Sequence, residues 1–162
     1  MAGVDLTQID GLSILSIQTI LSEIGTDMSK WPTVKHFTSW LGLSPNNSKT
    51  GGKIIRTKTK KTDSRANLAF RQGAASLGRS KSALGQFYRR MKSKLGTPKA
   101  VVATAHKLAR IVYFMLKNQT PFTSVGPEHE DARYRERALR NLQRQARKLG
   151  ANIAMETEAQ TA

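Results

Sequence analysis

The sequence predicts a mainly α-helical protein with one glycine-rich basic interruption. Apolar residues recur at helical spacing through most of the chain, and this periodicity is lost between residues 43 and 62. The length of 162 residues fits a single domain, and a chain of that size buries about 70% of its unfolded surface. A helical domain over residues 1–150 and a flexible tail over 151–162 are therefore expected.

The first element, over residues 5–25, is predicted to be a short helix, a glycine-containing turn and an apolar helix that ends at Gly25. It resembles the helix-hairpin-helix motif, whose turn amides bind a nucleic-acid phosphate. Here the turn is Gly11-Leu12-Ser13, and Ser13 stands where a second glycine is expected. An ordinary helical hairpin with a glycine turn is the open alternative.

A second helix is predicted from Pro32 to Leu41, with Trp40 among its buried residues. Helical patterns return after residue 63 and form a helical core over 64–149. The predicted helices are Ser64–Leu77, Ser82–Leu95, Pro98–Leu116 and Asp131–Leu149. The aromatic residues, including Phe114, are expected mainly in this core. Aromatic and cationic residues alternate at Phe87-Tyr88-Arg89-Arg90, so Arg89 and Arg90 are candidate nucleic-acid contacts.

Charge indicates the class of partner. Lys and Arg outnumber Asp and Glu by 27 to 11, which gives a net charge of +16. The segment from Lys49 to Lys117 contains a single acid, Asp63. Such an excess favours nucleic acid, with an anionic membrane surface as the alternative. The chain has neither a signal peptide nor a membrane-spanning stretch, so we expect a soluble, cytoplasmic protein with no membrane partner.

Several enzyme classes do not fit the sequence. Gly52-Lys53 is not followed by Ser or Thr, so the P-loop pattern fails. The chain has no cysteine, and its three histidines are far apart. Two-metal nucleases need several convergent carboxylates, and residues 28–127 hold Asp63 alone. We therefore expect no cofactor and no metal site in this chain.

The segment 43–62 is the main candidate site. Its TGGK stretch predicts a turn, and the KIIRTKTKKT stretch predicts a short strand or extended arm. Amides around Gly51 and Gly52 could bind an anion. The cations that could assist are Lys53, Arg56, Lys58, Lys60, Lys61 and Arg65. Hydroxyls at Ser48 and Thr50 lie beside such an anion but have no local base, so the residues alone indicate a phosphodiester-binding loop.

The order of these elements resembles the C-terminal domain of the insertion-sequence 110/116/902 transposases, which are related to the Piv-type DNA invertases. The resemblance rests on IDGLSILSIQTILSEIG, SWLGLSP, TGGK, RTKTKKTDSRANLAF, LGRSKSALGQFYRRMKSKLGTPKAVVATAHKLARIVYFMLKN and YRERALRNLQRQARKLG. It implies cutting and rejoining of DNA. Full-length members carry an N-terminal RuvC-like domain with acidic ligands for a divalent metal such as Mg²⁺, and some use a structured guide RNA.

Two departures from the family pattern affect these expectations. The family's nucleophilic serine aligns with Thr50, and Ser48, two residues away, is the alternative. The RuvC-like domain has no counterpart here, so we expect a truncated transposase that works as a homo-oligomer or with a full-length copy. The alternative is a non-catalytic DNA- or RNA-binding protein, in which Thr50 is only a turn residue. A third interpretation treats the apolar stretch around residues 100–116 as an oligomerisation surface.

Overall fold

The computed structural model describes residues 3–56, 58–123 and 127–151 and confirms the mainly α-helical fold. A short 3₁₀ turn covers Leu6–Gln8, and another covers Leu77–Arg79. The helices are α1 (Ile14–Ile24), α2 (Val34–Trp40), α3 (Arg65–Ser76), α4 (Ala83–Leu95), α5 (Thr97–Asn118) and α6 (Pro127–Lys148). Two strands, β1 (Ser48–Thr50) and β2 (Lys53–Arg56), lie between α2 and α3.

The chain divides into two compact units, residues 1–124 and 125–162. The first contains α1 to α5 and both strands. The second contains α6, where Glu136 and Arg140 form an ion pair one turn apart. The helix is predicted to begin at Asp131 but begins at Pro127. Most of the tail predicted over 151–162, from residue 152 onward, lies outside the described residues.

Helix α5 is the centre of the first unit. It packs against α2, α3 and α4, and α3 also packs against α1. Leu108, Val112 and Tyr113 of α5 are almost fully buried. The Tyr113 hydroxyl donates a 2.9 Å hydrogen bond to the Trp31 carbonyl. This bond holds α5 against the segment that leads into α2. The apolar circumference of this helix is therefore accounted for by burial inside the domain.

Serine caps explain where three helices begin. The Oγ atoms of Ser13, Ser64 and Ser82 each accept a hydrogen bond from the backbone N–H three residues later, at 3.2, 3.0 and 3.3 Å. Such caps satisfy amides that have no partner inside the helix. Ser64 caps α3. Gly96 ends α4 with a φ of +80°, as its place in the sequence predicts.

The aromatic core differs from the prediction at two positions. Trp40 is 46% exposed and Phe114 is 42% exposed, so neither is buried as expected. Trp40 lies at the end of the short helix α2 and packs one side on Trp31, with ring centroids 5.1 Å apart. Phe114 lies on the solvent side of α5, next to the buried Tyr113.

The predicted loop or extended arm over 43–62 is a β-hairpin. Strands β1 and β2 pair antiparallel, and Thr50 faces Lys53 across the turn. Pairing continues towards the base, where Asn46 N–H donates to the Lys58 carbonyl at 3.0 Å and Pro45 bridges Thr59. The prediction missed β1, because Ser48-Lys49-Thr50 is short and holds a single β-branched residue.

Candidate nucleic-acid interface

The tip of the hairpin is a two-residue turn built from Gly51 and Gly52. Their φ angles are +56° and +78°, as a type I′ turn requires at both central positions. A Cβ atom on either glycine would meet nothing within 4 Å, so the tip is open to an approaching ligand. The turn geometry alone accounts for the glycines, and they also leave the backbone accessible.

Thr50 precedes this turn, and its side chain is exposed. No histidine or carboxylate is hydrogen-bonded to its hydroxyl in the described part of the chain. The side chains of Ser48, the alternative nucleophile, and of Arg56 lie outside the described part. The structure thus presents the Thr50 hydroxyl at an accessible tip, and its role as a nucleophile stays a prediction.

The hairpin is strongly cationic. Residues 45–62 contain six Lys or Arg residues and no acid. The lysine side chains that the structure describes in this segment are all exposed, namely Lys53, Lys58, Lys60 and Lys61. The main packing partner of each strand is the other strand. The charge of these four lysines therefore lies on the surface of the hairpin and its base.

A cleft of about 260 Å³ opens at the base of the hairpin. At Gly42 the chain passes close to the segment that follows β2. A Cβ atom on this residue would lie 2.9 Å from the Lys60 carbonyl oxygen, so the close approach requires glycine. The lining residues are Gly42, Leu43, Thr59, Lys60, Lys61, Thr62, Asn67, Arg71 and Val102. The cleft thus joins cations of the hairpin to Arg71 on α3.

Arg71 is a candidate contact that the sequence analysis missed. It lies one helical turn after Asn67, which also lines the cleft and whose amide donates to the Leu41 carbonyl at 2.6 Å. The spacing of four residues places Asn67 and Arg71 on one face of α3. Nothing in the sequence indicates that this face meets the hairpin. Arg65, at the start of α3, is exposed but does not line the cleft.

The turn Gly11-Leu12-Ser13 has a structural role at each position. Gly11 has a φ of +89° and packs against Gly73 of α3. Leu12 is buried in the core, and Ser13 caps α1. The element before the turn is a 3₁₀ turn and not an α-helix. These roles account for the three residues without a phosphate, and phosphate binding at this turn stays a prediction.

Arg89 on α4 is also tied to the fold. Arg89 Nη1 donates to the Ser80 carbonyl at 2.6 Å and to the Gly78 carbonyl at 3.4 Å, which anchors the 3₁₀ turn before α4. Arg90 is half-buried. Nearby, Lys107 Nζ lies 4.5 Å from the centre of the Phe87 ring. Of the predicted phosphate contacts, the hairpin lysines are the ones that the structure brings together on an exposed surface.

The described residues provide no group of three or more His, Asp and Glu that could hold a metal ion. The Mg²⁺ implied by the family resemblance therefore has no fitting set of ligands in this part of the chain. Within the same residues, no helix is both long and apolar enough to span a membrane. What the site offers is cations, an open glycine turn and an exposed threonine.

The geometry defines a helical domain that carries an exposed basic ribbon, and sequence comparison identifies its family. The model for the transposase IS116/IS110/IS902 family matches residues 5–89, slightly more than half of the chain. The chain belongs to this family. The match contains the Gly11 turn, the hairpin and α3 to most of α4, and it gives the chain a transposase-related role. Neither a curated protein nor a solved structure matches the chain.

Proposed function

We propose that this chain is the DNA-binding part of a transposase and that the hairpin over residues 45–59 and the cleft at its base hold the phosphate backbone. The proposal rests on one observation: residues 45–62 hold six cations and no acid, and the four lysine side chains that the structure describes there are exposed. Packing inside the domain does not require these charges. A polyanion that binds them gains free energy by releasing counterions.

The dimensions of the ribbon suit a nucleic-acid groove. A strand of six residues reaches about 20 Å, and the major groove of B-DNA, about 12 Å wide, admits a two-stranded ribbon. Lys53 near the tip and Lys58 near the base are both exposed. Lys60, Lys61 and Arg71 continue the positive surface into the cleft. Contacts of this kind position the protein on the duplex and provide little sequence specificity.

The experiment is duplex binding across a salt series with a charge-matched control. The test variant replaces Lys58, Lys60 and Lys61 with alanine. The control replaces Lys92, Lys94 and Lys99, which are exposed on α4 and at the start of α5, and so removes the same charge.

Steep salt dependence is expected for the wild-type chain. Each lost phosphate contact lowers the slope of log K against log salt by about 1. The hairpin variant should show this change, and the control variant should retain most of the wild-type slope. Absence of binding, or an equal loss in both variants, would exclude the hairpin as the DNA site.

A second candidate function, favoured by the exposed hydroxyl at the tip, makes Thr50 the nucleophile of strand transfer. Its Oγ1 would attack a DNA phosphate, form a phosphothreonine ester and release a sugar hydroxyl, which takes up a proton. The DNA phosphate remains esterified throughout. A sugar hydroxyl can therefore displace the threonine oxygen in the reverse reaction and rejoin the strand. Divalent metal would come from the RuvC-like domain of a full-length copy, which requires a homo-oligomer or mixed assembly.

The nucleophile is tested by adding a full-length family member to Thr50→Ala, Thr50→Ser and Ser48→Ala variants of this chain. A covalent adduct with labelled DNA that survives denaturation should form with Thr50→Ser and Ser48→Ala and be absent with Thr50→Ala. Persistence of the adduct in Thr50→Ala, or its absence in all mixtures, contradicts the assignment. A structured RNA that competes with DNA for the hairpin would extend the proposal to a guide RNA.

A further inference from the structure

Among the hairpin side chains that the structure describes, Ile55 is the large aliphatic one that is exposed to solvent. It is 70% exposed and lies in β2, near the lysines at 53 and 58. The core does not require it, because the hairpin strands pack mainly against each other. An exposed isoleucine on a two-stranded ribbon also favours unwanted strand pairing.

The strand register shows how Ile55 is placed. Lys49 faces Ile54 and Ser48 faces Arg56, so Ile55 has no opposite residue. It is the extra residue of a β-bulge. A bulge bends its strand, increases the local twist and redirects a side chain out of the regular alternation. Ile55 is therefore presented by a specific irregularity and not by a regular two-sided strand.

The charge around Ile55 indicates which class of partner covers this side chain. The segment 45–62 has six cations and no acid, so a polyanion is the complementary surface. On a nucleic acid, the apolar surface is that of the bases, which are reached through a groove or between base-pair steps. A β-branched side chain is stiff at χ1 and loses little freedom when it is fixed there.

We propose that Ile55 is an apolar wedge that partly unstacks a base step when the hairpin lies on DNA. The inference rests on the proposed function and adds a mode of contact, namely local deformation of the duplex. Pyrimidine–purine steps unstack most readily, so they are the expected position of the wedge. The lysines hold the ribbon on the backbone while Ile55 contacts the bases.

The experiment uses the full chain and duplexes that carry 2-aminopurine at a central TA step, because the fluorescence of this base rises when it is unstacked. Ile55→Ala and Ile55→Thr remove the wedge, and Thr keeps the branched shape while adding a hydroxyl. Leu68→Ala is the control, since Leu68 is 55% exposed on α3 and does not line the cleft. Affinity is measured in parallel at one salt concentration.

The wild-type chain and the Leu68→Ala variant should raise the fluorescence when the duplex is saturated. Both Ile55 variants should abolish most of this rise, and Ile55→Ala should weaken binding about tenfold through the lost apolar contact. Wild-type binding without a fluorescence change, or an unchanged rise in the Ile55 variants, overturns the wedge and leaves DNA binding intact. Failure of the wild-type chain to bind DNA overturns the proposed function itself.

Discussion

Gly11 and Gly73 touch backbone to backbone where the first turn meets α3. A Cβ atom on Gly73 would lie 2.6 Å from the Gly11 carbonyl oxygen, and one on Gly11 would lie 2.7 Å from the Gly73 carbonyl oxygen. Real Cβ atoms do not approach oxygen so closely, so both positions require glycine. This contact sets the spacing between the turn and the helix, and through α3 it helps to position the base of the hairpin.

Gly11→Ala is expected to destabilise the chain more than Gly96→Ala. Both glycines have a positive φ, +89° and +80°, but a Cβ atom on Gly96 would meet nothing within 4 Å. The shared backbone strain costs about 1 kcal/mol, and the clash at Gly11 adds about 2 kcal/mol. Urea unfolding measures the difference. Equal losses in the two variants would show that the turn can move away from α3.

We expect Gly73→Ala to destabilise the protein, which is the opposite of what helix propensity predicts. In the interior of an open helix, alanine is more favourable than glycine by about 1 kcal/mol. Against the Gly11 carbonyl, 2.6 Å from the new Cβ atom, we expect a net loss of stability of about 1–2 kcal/mol. Urea unfolding gives the sign directly, and a stabilised variant would contradict the close contact.

Two buried threonines should respond in opposite ways to replacement by valine. Thr38 Oγ1 is hydrogen-bonded to Ser44 Oγ at 2.8 Å and donates to the Val34 carbonyl at 3.0 Å. Thr104 Oγ1 is fully buried and has no hydrogen-bond partner among the described residues. We expect Thr38→Val to lose about 1–2 kcal/mol of unfolding free energy and Thr104→Val to lose none, or to gain up to about 1 kcal/mol. Denaturant unfolding of both variants under the same conditions measures the two changes. A large loss of unfolding free energy in Thr104→Val would indicate a hydrogen-bond partner for its hydroxyl.

Glu23 of α1 completes the cap of α3. Its Oε2 accepts a 2.7 Å hydrogen bond from the Ala66 N–H, next to the bond from Asn67 N–H to Ser64. A carboxylate at a helix N-terminus also favours the helix dipole. Glu23→Ala should cost about 1–2 kcal/mol, and Glu23→Gln should cost less because it keeps an acceptor. Thermal melts of the two variants give the order, and equal costs would mean that the acceptor contributes nothing.

Local sequence signals predict the helices well because their determinants are local. Ser64 and Ser82 begin helices and Gly96 ends one because their side chains or φ angles act within a few residues. The TGGK turn is local in the same sense. The turn predicts where the chain reverses, and the basic run after it predicts where the charge lies.

Features that depend on distant residues are not visible in the sequence. Glu23 caps a helix that begins more than forty residues later, and Arg71 lines the cleft at the hairpin base together with residues far from it in sequence. The bulge at Ile55 depends on its register with β1. Trp40 was expected in the core because its spacing fits, but α2 is too short to enclose its ring.

His106 should make stability depend on pH. It is half-buried on α5, and burial, followed by the nearby Arg110 guanidinium, lowers its pKa below the ordinary value of 6.5. The folded protein thus holds the neutral imidazole more strongly than the unfolded chain does. Its contribution to stability is present above pH 6.5 and is lost as the pH falls through the lowered pKa.

The free energy of unfolding should therefore fall when the pH is lowered from about 7.5 to about 5. His106→Gln removes the titrating group and should reduce this fall. Arg110→Gln should reduce it less, because burial is the larger cause of the shift. Urea midpoints at the two pH values measure the effect in all three proteins. If His106→Gln and wild type lose the same stability, another group accounts for the pH dependence and His106 is equally solvated in both states.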